Sequence, residues 1–157
     1  MKDWLFNGAD YVCDLRVAGV LVRDGKFLVQ RDKDGQEYAL PGGHVKVGEA
    51  MTDALIREFK EETGADIHVN RLLWSEECFW EWSGRKVHSI AFYYLIELCD
   101  LETILDDGEF VSQKDNCDVV LGWMPINALD QVIIYPAFIR QEIHHLDGQV
   151  KHFVTRD

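Results

Sequence analysis

GHVKVGEAMTDALIREFKEETGA, residues 43–65, decides how the rest of the chain is read. Pro41, Gly42 and Gly43 turn the chain ahead of it, and no Pro or Gly interrupts Glu49 to Thr63. Good helix formers fill that interval and Gly64 follows as a stop signal, so a helix of about four turns is predicted over roughly 49–63. Met51, Ala54, Leu55 and Phe59 make the apolar stripe of a helix lying on a core. Glu58, Glu61 and Glu62 stand at i, i+3 and i+4, which puts three carboxylates on a common face. Like charges at that spacing weaken a bare helix by a few tenths of a kcal/mol per pair. A helix built only for stability would carry a Lys among them. Clustered carboxylates suit a hard divalent cation such as Mg²⁺, which prefers oxygen ligands. A solvated acidic face is the plainer alternative.

The glutamates come with other fixed positions. Gly43, Glu49, Arg57, Glu58, Glu61, Glu62 and Gly64 stand as G-x5-E-x7-R-E-F-x-E-E-x-G-A, which resembles the signature of the Nudix hydrolase family, MutT-like enzymes, G-x5-E-x7-R-E-U-x-E-E-x-G-U, with U a bulky aliphatic residue. All seven fixed letters agree. At background frequencies of about one in fifteen per letter, chance agreement is on the order of one in 10⁸. Phe59 and Ala65 depart from the two U positions, one aromatic and one small; both are apolar, so packing is affected rather than chemistry.

Working outward, Leu15–Arg23 is an apolar strand, Asp24-Gly25 a tight hairpin signal and Lys26–Arg31 its return. An N-terminal strand is expected within residues 1–13. After the helix, Asp66–Trp82 and Arg85–Leu98 read as two long strands joined at Ser83-Gly84. The second is apolar on both faces, as a central strand is. Cys99–Asn116 is an acidic loop broken by Phe110-Val111. Val119–Met124 is a strand, Pro136 to about Leu146 a second helix opened by proline, and Gln149–Thr155 an edge strand. The order predicts an α/β fold, an α/β/α sandwich with a mixed β-sheet, and the resemblance implies the same Nudix-type architecture. The whole chain, 1–157, is expected to form a single domain.

Composition excludes some functions. Hydrophobic residues make up 47% of the chain, which argues for a packed globule, and the net charge is −12. That charge argues against duplex nucleic acid and anionic membranes as partners. It would also repel a polyphosphate unless metal ions and local cations reverse the sign at the site. Cys13, Cys78, Cys99 and Cys117 are widely spaced with no zinc pattern, so reduced thiols in a cytoplasmic protein are expected. MKDWLFNGAD lacks a signal-peptide core, and no apolar run is long enough to span a bilayer.

The resemblance implies hydrolysis of a nucleoside diphosphate linked to another moiety, by water attack on phosphorus. Glu58, Glu61, Glu62 and the Gly43 carbonyl would hold Mg²⁺, or Mn²⁺ in its place. Glu58, Arg57 and Glu49 would form the catalytic set, with Glu58 the general base. Glu49 and Arg57 lie about two turns apart on the predicted helix, too far to touch, so Arg57 is expected to pair with a carboxylate of the site. Asp115 or Asp118, ahead of Trp123, are candidates for a further carboxylate, and solvated loop acids otherwise. Arg31 is a candidate for substrate phosphate. Trp80 and Trp82 share a strand face and could stack on a base, or else belong to the core or to a homodimer contact. His44 is expected to face solvent. His88, His144, His145 and His152 show no shared metal spacing. Markers of named subgroups are missing: no Pro lies between Pro41 and Pro125, and Trp82-Ser83 stand where one subgroup carries Tyr. Their absence favours a nucleoside triphosphate or related nucleotide as substrate. A Nudix-fold protein that binds nucleotides without cleaving them is the alternative.

Overall fold

The computed structural model describes residues 1–101, 103–104, 108–114 and 118–157. In chain order its elements are β1 (Leu5–Asn7), β2 (Tyr11–Val20), β3 (Val22–Arg23), β4 (Lys26–Asp32), β5 (Glu37–Ala39), β6 (Gly42–His44), α1 (Met51–Thr63), β7 (Ile67–Trp82), β8 (Arg85–Leu98), β9 (Glu109–Val111), β10 (Val119–Pro125), a 3₁₀ turn (Ile126–Gln131), β11 (Ile133–Tyr135), α2 (Ile139–Glu142) and β12 (Lys151–Arg156). The strands form two six-stranded sheets. One runs β1-β2-β8-β7-β12 with β6 added to β2, the other β11-β5-β4-β10-β9 with β3 added to β4. Both are mixed: β2 and β8 run parallel while β7 and β8 run antiparallel, and β5 and β11 run parallel beside antiparallel β4 and β10. The expected mixed β structure is therefore present, divided between two sheets.

Alternation along the strands feeds two cores. Val17 and Leu28 join Leu55 and Phe59 of α1, with Ile96 and Leu121. Val20, Phe27 and Val29 join Trp74, Tyr93 and Ile139. Neighbouring positions of a strand point to opposite faces, so α1 and α2 cover opposite sides, and the layering is α/β/α. Leu55 and Phe59 are completely buried, each contributing about 1.5–3 kcal/mol. The aromatic Phe59 fits because position 19 is glycine. A Cβ there would lie 2.9 Å from the Phe59 ring and 2.6 Å from Ile96.

Both hairpins read from sequence are as expected: Asp24 and Gly25, and likewise Ser83 and Gly84, have positive φ at both central positions, as type I′ turns require. α1 ends at Gly64, whose left-handed φ of 74° suits glycine. Its start differs from the prediction. The helix begins at Met51, with extended Ala50 before it, so Glu49 lies outside. The second helix is also shorter than predicted. Two four-residue bonds, from Glu142 N–H to the Phe138 carbonyl and from Ile143 N–H to the Ile139 carbonyl, make its α-turn. The flanking bonds are of the tighter three-residue kind, such as Ile139 N–H to the Pro136 carbonyl and His145 N–H to the Glu142 carbonyl. Among the described residues no helix is long and apolar enough to cross a membrane.

Candidate active site

β6 lies antiparallel to β2, with Val17 opposite Gly43 and Arg16 opposite His44. α1 lies over this pair. Glu58 and Glu62 therefore leave the helix on a side packed against β6, and are 2% and 7% exposed. Two glycines permit the approach: a Cβ on Gly42 would overlap the Val17 backbone, and one on Gly43 would overlap the Glu58 carboxylate. A cleft of about 420 Å³ opens here, lined by Gly43, Glu58, Glu61 and Glu62 and by cations from other elements. That volume is in the range of small-ligand sites.

Arg57 ties the cleft together. Its Nε and NH2 donate to both oxygens of Glu49 (2.7 and 2.9 Å), NH1 to Glu58 (2.7 Å) and to Glu61 (3.3 Å), and NH2 also to the His44 carbonyl (3.1 Å). The expectation that Glu49 and Arg57 cannot touch is thus corrected. With Glu49 in the turn before α1, its Oε2 also accepts the Lys46 N–H (3.0 Å), and the side chain folds back along the helix to the guanidinium. Arg57 pairs with site carboxylates as well, as expected. The guanidinium holds the Glu49 carboxyl down at about 2, against its ordinary 4.5. Its depressed pKa gives stability that is complete above pH 4.5 and lost as pH falls toward 2. Glu49→Gln is expected to remove roughly 2–3 kcal/mol at neutral pH and to flatten acid unfolding in that window, read by circular dichroism. An equal acid slope in both proteins would refute the pairing.

The other face of Glu58 is held by Lys114, a residue that sequence reasoning missed. Lys114 Nζ donates to Glu58 Oε2 and stands 3.3 Å from Glu61 Oε2. Burial alone would lower the Lys114 ammonium, yet its bonds to Glu58 and Glu61 hold it above its ordinary value. Glu62 is treated differently. Its Oε2 is buried with no hydrogen-bond partner. Burial first, and then the neighbouring Glu58 charge, push its carboxyl up to about 8.

His44 was missed too. Instead of facing solvent it lines the cleft, with Nε2 2.9 Å from Asp14 Oδ2. Asp14 is buried, which raises its carboxyl; hydrogen bonds from His44 and Ser89 outweigh that and hold it below the ordinary value. Arg16 and Lys46 add cations to the rim. Nothing in the local sequence marks these residues, because they converge only through the β2–β6 pairing and the approach of the segment after β9.

Three expected substrate residues lie apart from the cleft. Gln30 of β4 lines it, so Arg31, the next residue, points to the opposite face. There Arg31 makes a two-pronged pair with Glu109 (2.8 and 3.0 Å). Trp80 and Trp82 end the β7–β8 hairpin, 39% and 52% exposed, with Arg85 over the Trp82 ring. Asp115 lies outside the described residues. The Asp118 carbonyl accepts the Lys33 N–H (2.6 Å).

Comparison with known proteins decides the family: residues 14–145 match the NUDIX domain. The chain belongs to the Nudix family. It is 42% identical over 60 residues to an ADP-ribose pyrophosphatase of Methanocaldococcus jannaschii, 36% of either chain. It is 36% identical over 81 residues to a CTP pyrophosphohydrolase of Escherichia coli, 49% of this chain and 58% of that one. A Nudix hydrolase 5 of Arabidopsis thaliana is 28% identical over 140 residues, 83% of this chain and 39% of that one. The matches thus span under two thirds of these relatives' own lengths. Among solved structures, an ADP-ribose pyrophosphatase from Streptococcus suis superposes with a TM-score of 0.59 at 20% identity, covering 89% of this chain and 98% of that one. A MutT Nudix hydrolase from Burkholderia pseudomallei gives 0.54 at 26%, covering 83% and 96%. The Nudix box is therefore the segment that builds the cleft, and its departures, Phe59 and Ala65, are both fully buried in the core.

The cleft also fits a hard divalent cation. Its donors are carboxylates, the buried Glu62 Oε2 has no partner, and the missing Cβ of Gly43 leaves backbone against Glu58. As the side chains stand, no three His, Cys, Asp or Glu among the described residues are grouped to hold an ion; Lys114 occupies the space between Glu58 and Glu61.

Proposed function

We propose that this Nudix protein is a pyrophosphohydrolase of a nucleoside diphosphate linked to another moiety, using Mg²⁺ with Mn²⁺ as a substitute. One observation carries the reading. The buried Oε2 of Glu62 has no hydrogen-bond partner, in a cleft where Glu58 and Glu61 are already held by Arg57 and Lys114. Burying such a group is costly unless something binds it.

Glu58, Glu61, Glu62 and the Gly43 carbonyl would hold the metal. When bound, it neutralises charge spreading over the phosphates and lowers the pKa of water at the site. Arg57 keeps Glu58 and Glu61 oriented, and Glu49 fixes Arg57 in turn, so the carboxylates need no rearrangement as the reaction proceeds. Glu58 Oε2 takes the proton of the attacking water once Lys114 has left it. Arg16, Lys46 and His44 face the polyphosphate, the role first given to Arg31 by sequence. Arg16 and Lys46, with the metal, would offset the acids of the cleft in a chain with net charge −12. The described cysteines, Cys13, Cys78 and Cys99, are free thiols, in keeping with a cytoplasmic protein.

ADP-ribose and CTP, the substrates in the names of two relatives, head the panel that tests this, beside other nucleoside triphosphates and nucleotide sugars. With Mg²⁺, release of phosphate, pyrophosphate or nucleoside monophosphate from at least one is expected. Tight binding of a compound that is never cleaved would transfer the case to the nucleotide-binding alternative, which an intact set of box glutamates does not favour.

A further inference from the structure

Among the described residues Arg57 and Lys114 touch the carboxylates, and they are held very differently. Arg57 makes five hydrogen bonds, two of them to Glu49 outside the cleft. Among the described residues Lys114 Nζ is held by Glu58 and Glu61, acids that would also bind the metal. The backbone beneath it is anchored independently. Gln113 N–H donates to the Glu62 carbonyl at the end of α1 (2.8 Å), and Ser112 N–H to the Val119 carbonyl (2.9 Å). A lysine stem has four rotatable bonds. The ammonium can therefore leave the carboxylates while its backbone stays fixed at the rim of the cleft.

We propose that Lys114 is an exchangeable counter-ion: it neutralises Glu58 and Glu61 until a divalent cation displaces it, and then turns to the substrate's phosphates. The proposal rests on the metal-dependent reading above. Lys114 thereby couples metal binding to substrate binding. Without it Glu58 and Glu61 would share the single charge of Arg57, and with it the incoming ion meets a competitor already in place. Metal and ammonium compete for the same oxygens, so each weakens the other by the same factor. Once released, the same charge lies beside the arriving polyanion.

The test uses metal-stripped full-length protein and Mn²⁺ alone, with free ion followed by electron paramagnetic resonance. Lys114→Met keeps the length of the stem and removes the charge, and Lys114→Gln is a second neutral variant. Both are expected to bind Mn²⁺ at least about fivefold tighter than wild type, the lower end of ordinary coupling between sites. Lys114→Arg, still charged, is expected to bind no tighter than wild type. At saturating Mn²⁺, tripolyphosphate is expected to bind the two neutral variants at least about fivefold more weakly. Equal Mn²⁺ affinity in wild type and the neutral variants overturns the competition. Unchanged tripolyphosphate affinity overturns the second half. If wild type binds no Mn²⁺, or binds it equally after Glu62→Gln, the metal-site reading fails and takes the proposal with it, an outcome distinct from the other two.

Discussion

Glu62→Gln is expected to cut kcat/KM by on the order of a hundredfold or more while the protein stays folded. A metal ion supplies several kcal/mol of charge stabilisation, and about 1.4 kcal/mol is a factor of ten in rate. The variant keeps the shape of the side chain and removes only its charge. The stability of the metal-free protein supplies an independent reading. Glu62 has its carboxyl raised to about 8 in the folded chain against an ordinary 4.5, by burial and then by Glu58. Between those values the folded state binds a proton that the unfolded state has released, so stability falls as pH rises from about 4.5 to about 8, then levels off. Glutamine has no proton to lose, and the slope should go with it. At pH 8 in EDTA the variant is therefore expected to be more stable than wild type, by on the order of a few kcal/mol. Urea midpoints at pH 5 and pH 8 measure this. Wild-type turnover in the variant would remove Glu62 from the site; a pH slope identical to wild type would remove the account of its burial.

Arg57→Ala is expected to be the most damaging single change in the cleft for stability, at about 3 kcal/mol by urea unfolding at pH 7. An exposed ion pair is worth roughly 0–1 kcal/mol, but Arg57 is 20% exposed and its partners Glu49 and Glu58 are 9% and 3% exposed. Removing one member of a buried pair leaves charge uncompensated, at about 3–5 kcal/mol. The lower figure applies because Lys114 still meets Glu58. Arg57→Lys should recover only part of this, since an ammonium cannot bond both Glu49 oxygens, Glu58 and the His44 carbonyl in one plane. A loss under about 1 kcal/mol in Arg57→Ala would show that the network is merely a surface feature. Activity should fall in both variants, because Glu58 and Glu61 lose the group that orients them.

Much of this was legible in the residues. Positive-φ turns at Asp24-Gly25 and Ser83-Gly84 set both hairpins locally, and a backbone preference needs no partner to be read. The apolar spacing of α1 located the buried face, and Phe59 and Ala65 proved to be core as their character implied. The bounds of α1 and α2 were less legible. Ala50 and Glu49 are ordinary helix formers, and only the three-way demand of Lys46, Arg57 and the turn draws Glu49 out of the helix. Arg31 read as a phosphate ligand because its charge was visible and Glu109, 78 residues away, was not an evident partner.

By itself the sequence determined the family, the box helix and the identity of the acids, since these depend on residue type at short, regular separations. Only the tertiary structure decided which cations meet those acids. Lys114 reaches Glu58 across 56 positions of chain, and His44 reaches Asp14 across 30. Electrostatic energy depends on distance in space and on burial, and neither is written in the spacing of residues along the chain.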